Sequence, residues 1–151
     1  MMQTSKSKRR RATYDDVEML VAWHADPDVS RYWDDETFTP EEMRERLDRP
    51  GVRAFIVEAE GEPIGYLQVH ATGLDMFLVP HARGRGLGPD IARATARHLL
   101  DEEGWTRVIV DPYRWNESAV RAWERAGFVA VSEHEPDDEH VHPWVLMEFR
   151  G

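Results

Sequence analysis

A chain of 151 residues with a formal net charge of -10 is the size of one domain, long enough to bury about 70% of its unfolded surface. The absence of cysteine excludes a disulfide scaffold, thiolate metal sites and a cysteine nucleophile. A 41% apolar content argues against wholesale disorder, and no apolar run nears the ~18 residues of a membrane span.

Residues 1–12 come first. They hold Lys6, Lys8, Arg9, Arg10 and Arg11, no acid and no apolar periodicity, which predicts a disordered basic tail ahead of a single domain over 13–151. No apolar segment follows these basic residues, so a secretory signal is not expected and a reducing, cytoplasmic setting is. From residue 12 onward there are 14 basic and 29 acidic groups. Such a body disfavours nucleic acid as a partner. It serves solubility or forms a cleft for a polycationic ligand.

Residues 15–24 carry Val17, Leu20, Val21 and Trp23 at helical spacing, and Pro27 interrupts that helix before a short one over 29–33. Thr39-Pro40-Glu41-Glu42 is a helix start: Thr39 caps, Pro40 opens the first turn and Glu42 completes a capping box. The period then changes. Residues 52–58 and 63–70 read as strands joined by a turn at Glu60-Gly61, and 74–79 as a third. A long helix follows over 89–103. Residues 107–110 form a short buried strand, Asn116 caps a helix stopped by Gly127, and strands over 128–132 and 144–149 close the chain. The order predicts an α/β domain with a mixed, mostly antiparallel sheet of six or seven strands and about four helices on its faces.

The strongest local pattern is Leu78-Val79-Pro80-His81-Ala82-Arg83-Gly84-Arg85-Gly86-Leu87-Gly88, running from strand to helix. Its glycines let backbone N–H groups converge on one point, and the helix start adds partial positive charge. Together these cradle a pyrophosphate, with Arg83 and Arg85 as charge-assisted partners. A Walker loop needs Gly-Lys-Ser/Thr, which is absent, and a dinucleotide fingerprint needs a third glycine where Pro89 stands.

At this point the sequence resembles the GNAT family of N-acetyltransferases. Residues Arg83 to Gly88 match its Q/R-x-x-G-x-G/A acyl-CoA motif, Gly61 to Tyr66 resemble its central hairpin, and Asn116 to Phe128 resemble its second cofactor-side helix. Within the family, Gly73-Leu74-Asp75-Met76-Phe77-Leu78, Val110-Asp111-Pro112 with Asn116, and the tryptophans Trp23 and Trp33 are similar to aminoglycoside 6'-N-acetyltransferases. Siderophore-type acyltransferases share several of these features.

The resemblance implies acetyl transfer from acetyl-CoA to a primary amine, without a metal, by a monomer or homodimer. It implies a sheet splayed after Phe77, where the Phe77, Leu78 and Val79 backbone meets the thioester. It places Arg83, Gly84, Arg85, Gly86, Leu87, Gly88, Asn116 and Trp123 around the cofactor. Asp75 then meets the amine. A carboxylate near pKa 4 facing an alkylammonium near 10 is mismatched by ~6 units, or ~8 kcal/mol, so orienting the amine suits Asp75 better than direct proton abstraction. Asp111 becomes a contact for a cationic substrate or marks a strand-end turn before Pro112, and Asp137 and Asp138 become such contacts or belong to a solvated loop. Trp33 stacks on a sugar ring or anchors the helices. Trp123 departs from the family's tyrosine, and indole N–H is no useful acid. Water or Tyr113 would have to serve as the proton donor, unless the chain is only a weak cofactor-binding module. His70 is an alternative base or a hairpin-end residue, and His140 with His142 a conceivable metal pair without a third ligand. The expected acceptor is an aminoglycoside. The alternatives are a siderophore precursor, a polyamine or a protein terminus.

Overall fold

The sheet grows outward from its central hairpin. The structure, a computed structural model, describes residues 2–3 by their backbone and residues 7–151 in full. β3 (Val52–Ala59) and β4 (Glu62–His70) pair antiparallel, and β5 (Gly73–Leu78) pairs antiparallel with β4. On the other side lie β2 (Lys8–Arg11) and β1 (Met2–Gln3). Beyond β5 come β6 (Ile109–Val110), then β8 (Trp144–Phe149), then β7 (Phe128–His134), and only the β5–β6 pair is parallel.

Strand alternation divides the core between two faces. Ala54, Ile56, Tyr66 and Phe77 pack with Val17, Leu20, Val29 and Met43. These come from α1 (Val17–Ala25), α2 (Pro27–Ser30) and α3 (Pro40–Asp48). Phe55, Val57, Leu67 and Val69 pack on the opposite face against Ile91, Leu99, Trp123 and Ala126. Those belong to α4 (Leu87–Asp101) and α5 (Glu117–Ala126). The Thr39 capping box and the Asn116 and Gly127 caps form as the sequence predicts.

The expected disordered tail is corrected over Lys8–Arg11, which pairs with β3 from Glu58 to Phe55. Met1 and residues 4–6, with Lys6 among them, lie outside the described residues. The strand carries its own side-chain anchors. Arg9 is buried with its guanidinium 4.2 Å from the Phe55 ring centroid. Arg10 makes two 2.9 Å bonds to the Asp16 carboxylate and one of 3.0 Å to Glu58. A basic run lacking apolar periodicity becomes a strand because the buried Asp16, the half-buried Glu58 and an aromatic face receive it.

Asp16 also accepts the Thr13 backbone N–H at 2.8 Å. Burial pushes its carboxyl up, but the bonds from Arg10 and Thr13 outweigh this and hold it below the ordinary value. The stabilisation is therefore present above the unfolded carboxyl value near 4 and is lost as pH falls through the lower folded value. Asp16→Ala is expected to cost about 2–3 kcal/mol at pH 7. Urea melts at pH 7 and pH 3 should show the gap between variant and parent shrinking in acid.

Candidate active site

β5 and β6 touch at one register position, Gly73 against Ile109, and then part. A Cβ on Gly73 would lie 2.7 Å from the Ile109 carbonyl oxygen, so glycine is what lets the strands meet there. The opening thus begins after Gly73 rather than after Phe77. Val79 N donates to Ile64 O at 2.8 Å. Carried along the β4–β5 register, antiparallel alternation turns the Phe77 and Asp75 N–H groups toward β4 and those of Leu78 and Met76 toward the open edge. Of the three backbone groups expected to meet a thioester, Leu78 alone has its N–H free for that task. Val79 is buried in the core instead.

Two cavities meet at this edge. One, of about 540 Å³, runs between the β5 end, the start of α4 and the face of α5. Gly84 and Gly86 adopt φ of 78° and 76°, the left-handed region glycine favours. No side chain caps α4, so its first N–H groups and the helix dipole face the cavity. Gly84, Gly86, Leu87, Gly88, Asn116 and Trp123 all line it. Arg83 lines it too, but its Nε donates to Leu78 O at 3.0 Å and its Nη2 to Asp28 O at 2.8 Å, so it ties the loop to β5 and α2. Arg85 is exposed and off the cavity wall. Arg125 on α5 lines the wall instead. Sequence reading missed it because its signal is only a basic residue one turn beyond Ala122 on α5.

The second cavity, of about 320 Å³, has five carboxylates on its wall, Asp34, Glu36, Asp75, Asp111 and Glu139, against one arginine, Arg46, which lies 3.7 Å from Glu36. The first has no carboxylate, and its charged lining is Arg83 and Arg125. Tyr32, Met76, Phe77, Asn116, Ala119 and Trp123 belong to both, and form the throat between them. Asp75 sits beside this throat. Its Oδ2 lies 2.7 Å from His70 Nε2 and accepts Gln68 Nε2 at 3.4 Å. The contact with Asp75 raises the His70 pKa, against the opposing effect of burial and with help from the charges of Asp111 and Glu139.

Asp111 faces the same cavity. Burial pushes its carboxyl up, the Asp75 charge adds to this, and the contact with His140 works against it. His140 Nε2 is 2.7 Å from Asp111 Oδ2, and its Nδ1 is 2.9 Å from Asp137 Oδ1. Burial lowers the His140 pKa, but the two carboxylates outweigh it and raise it. Asp137 is therefore not a wall residue. It accepts Trp144 Nε1 at 3.1 Å and holds the loop in which His140 stacks on Trp144 at 4.2 Å. Asp138 is exposed and also off the wall.

Trp33 is on the wall and packs edge-on to Phe77 and Tyr66. Trp123 is 9% exposed and packs against Phe128 with ring centroids 5.2 Å apart. Tyr113 is held by Asp34 through its hydroxyl, and burial with this bond raises its pKa well above the ordinary phenol value. That makes it a poor acid. His140 is taken up by carboxylates, and among the described residues no cluster of His, Asp and Glu is arranged to hold a metal. Among the described residues no helix is long and apolar enough to cross a membrane.

Residues 12–136 match the Acetyltransferase (GNAT) domain. The chain belongs to the GNAT acetyltransferase family. It is 28% identical, over 79% of its length and 72% of theirs, to the aminoglycoside N(6')-acetyltransferases type 1 of Klebsiella pneumoniae and Serratia marcescens. Its fold superposes on AAC(6')-Ib in complex with paromomycin and acetyl-CoA with a TM-score of 0.85 at 26% identity, covering 96% of this chain and 93% of that one. Spermidine N-acetyltransferase from Vibrio cholerae, in complex with CoA and spermine, shares the fold with a TM-score of 0.83 at 15% identity, over 97% of this chain and 96% of that one.

Proposed function

We propose that this acetyltransferase moves the acetyl group of acetyl-CoA onto a primary amine of an aminoglycoside antibiotic, at the 6' position, and so confers resistance. The observation that carries this reading is the separation of charge across one throat. The arginine- and glycine-lined cavity suits an anionic pyrophosphate cofactor. The cavity with five carboxylates suits a polycation. The relatives named for 6'-acetylation of aminoglycosides support the finer assignment.

In this reading the pyrophosphate lies on the Gly84–Gly88 turn and the start of α4. The thioester carbonyl reaches the Leu78 N–H, and a donor of that kind is worth about 3 kcal/mol on a developing oxyanion. Asp75 seats the ammonium, and Asp111, Asp34 and Glu139 hold the other charges of the acceptor. Trp123 shapes the throat without giving a proton. A thiol of pKa about 8.5 leaves as a tolerable anion at neutral pH. Release of free thiol from acetyl-CoA on adding kanamycin or tobramycin tests the reading. Release only with a lysine-type, hydroxylamine or polyamine acceptor would replace it.

Arg83→Ala is expected to weaken acetyl-CoA roughly 10-fold, in KM or in direct titration, because it frees the loop from Leu78 and Asp28. The KM for the amine should stay within about twofold. Equal loss for both substrates would show that the strut supports the whole throat.

A further inference from the structure

The face of the sheet below the acceptor cavity carries a chain of polar groups that seating an amine does not explain. Alternation along β4 puts Tyr66, Gln68 and His70 beside Phe77 and Asp75 of β5. Tyr66 donates through its hydroxyl to Gln68 Oε1 at 2.9 Å, which fixes the Gln68 amide so that its Nε2 points to Asp75. Both neighbours, Gln68 and His70, approach the same carboxylate oxygen, Oδ2. Oδ1 is left as the oxygen that no side chain among the described residues occupies. His70 Nε2 is shut off from solvent, while the His70 side chain as a whole is 34% exposed, so the ring meets water along its other edge. One nitrogen is thus enclosed against the half-buried Asp75 carboxylate, while the ring also reaches water.

We propose that His70 is the proton relay of this site: the amine seated on Asp75 gives up its proton to the Asp75–His70 pair, and the proton leaves through the imidazole. The inference rests on the acetyl-transfer reading above. His70 starts neutral with its proton on Nε2, facing Asp75 Oδ2. The ammonium, seated at Asp75 Oδ1, loses one proton, which passes through water to His70 Nδ1 at the exposed edge of the ring and forms an imidazolium–carboxylate pair. The free electron pair on nitrogen then forms the bond to the thioester carbon. The carbon–sulfur bond breaks, the second nitrogen proton ends on the thiolate, and the imidazolium returns its extra proton to water. A carboxylate alone faces the ~6-unit mismatch already noted, whereas an imidazole, ordinarily near 6.5, narrows it. Asp75 from β5, Asp111 from the turn after β6 and Glu139 from the β7–β8 loop are the charged groups that face His70, and all favour its protonated form. The relay therefore works above a pKa raised from 6.5 and fails below it.

The test is the pH profile of kanamycin acetylation by the parent, His70→Gln and His70→Ala. The parent should show kcat rising through an inflection above pH 6.5. His70→Gln should lose that inflection and roughly 100-fold in kcat, with the KM for acetyl-CoA within about twofold of the parent. Added imidazole should restore part of the activity of His70→Ala, a response that a merely structural role does not give. A His70→Gln variant with parental kcat and the same inflection overturns the relay and leaves the acetyl-transfer reading standing. Failure of imidazole to restore any activity to His70→Ala, with that variant folded and binding acetyl-CoA, also overturns it. A parent that does not acetylate kanamycin at all overturns both.

Discussion

Asp75→Asn is expected to lower kcat/KM for the amine by roughly 100-fold or more while leaving acetyl-CoA affinity within about twofold. The substitution keeps the size of the side chain and the Gln68 neighbour. It removes the one carboxylate that lies beside the throat and against His70. Loss of a charge facing a partly desolvated ammonium costs about 3 kcal/mol, which is the factor of roughly 100. The cofactor cavity does not contain Asp75, so the donor has no reason to bind less well. Steady-state kinetics in both substrates and a direct titration with CoA check this. Equal losses on the two sides would mean that Asp75 holds the sheet rather than the amine.

The second large effect comes from a residue without a side chain. A Cβ on Gly65 would lie 2.4 Å from the Phe77 carbonyl oxygen and 2.7 Å from Leu78 Cδ2. The first of these is backbone, so it cannot swing aside. Gly65→Ala must push β5 off β4 where Leu78 turns its N–H to the throat. The expected cost is about 2–4 kcal/mol, a fall in Tm of roughly 5–15 °C, with weaker acetyl-CoA binding in the protein that remains folded. Gly88→Ala is the contrast. Its Cβ would meet only the ends of the Leu78 and Met76 side chains, at 3.5 Å, and stability should change by less than about 1 kcal/mol. Thermal melts of the two variants side by side settle the comparison, and similar losses in both would contradict it.

The parts of this molecule that were legible in the sequence are those written in local chemistry. Thr39, Glu42, Asn116 and Gly127 announce helix ends because capping needs only neighbours. The run from Arg83 to Gly88 announces an anion loop because glycine spacing and helix start lie together. The strand Lys8–Arg11 was hidden because its partners, Glu58, Asp16 and Phe55, are distant or belong to other elements. Within the site, Asp75, Asp111, Trp33 and Trp123 were read from their strands and turns, and the cavities collect them. Arg85 and Asp138 lie off the cavity walls, since a motif gives position along the chain but not the direction of a side chain. Asp137 proved to act on His140, a contact that depends on how the β7–β8 loop folds back. His70 was readable as an alternative base at the end of its strand, but its contact with Asp75 is a diagonal pairing across β4 and β5 that the register supplies.

The acidic excess divides in the same way. Most of the 29 carboxylates are surface charge, and at physiological ionic strength their reach is about 8 Å. Only those on the acceptor wall act on a ligand there. The measurement that tests the account most directly is the location of the acetyl group on a product. Kanamycin incubated with acetyl-CoA and the protein should gain one acetyl group, placed by fragmentation mass spectrometry or NMR on the 6'-nitrogen. An unmodified drug, or an acetyl group on another atom, would contradict it.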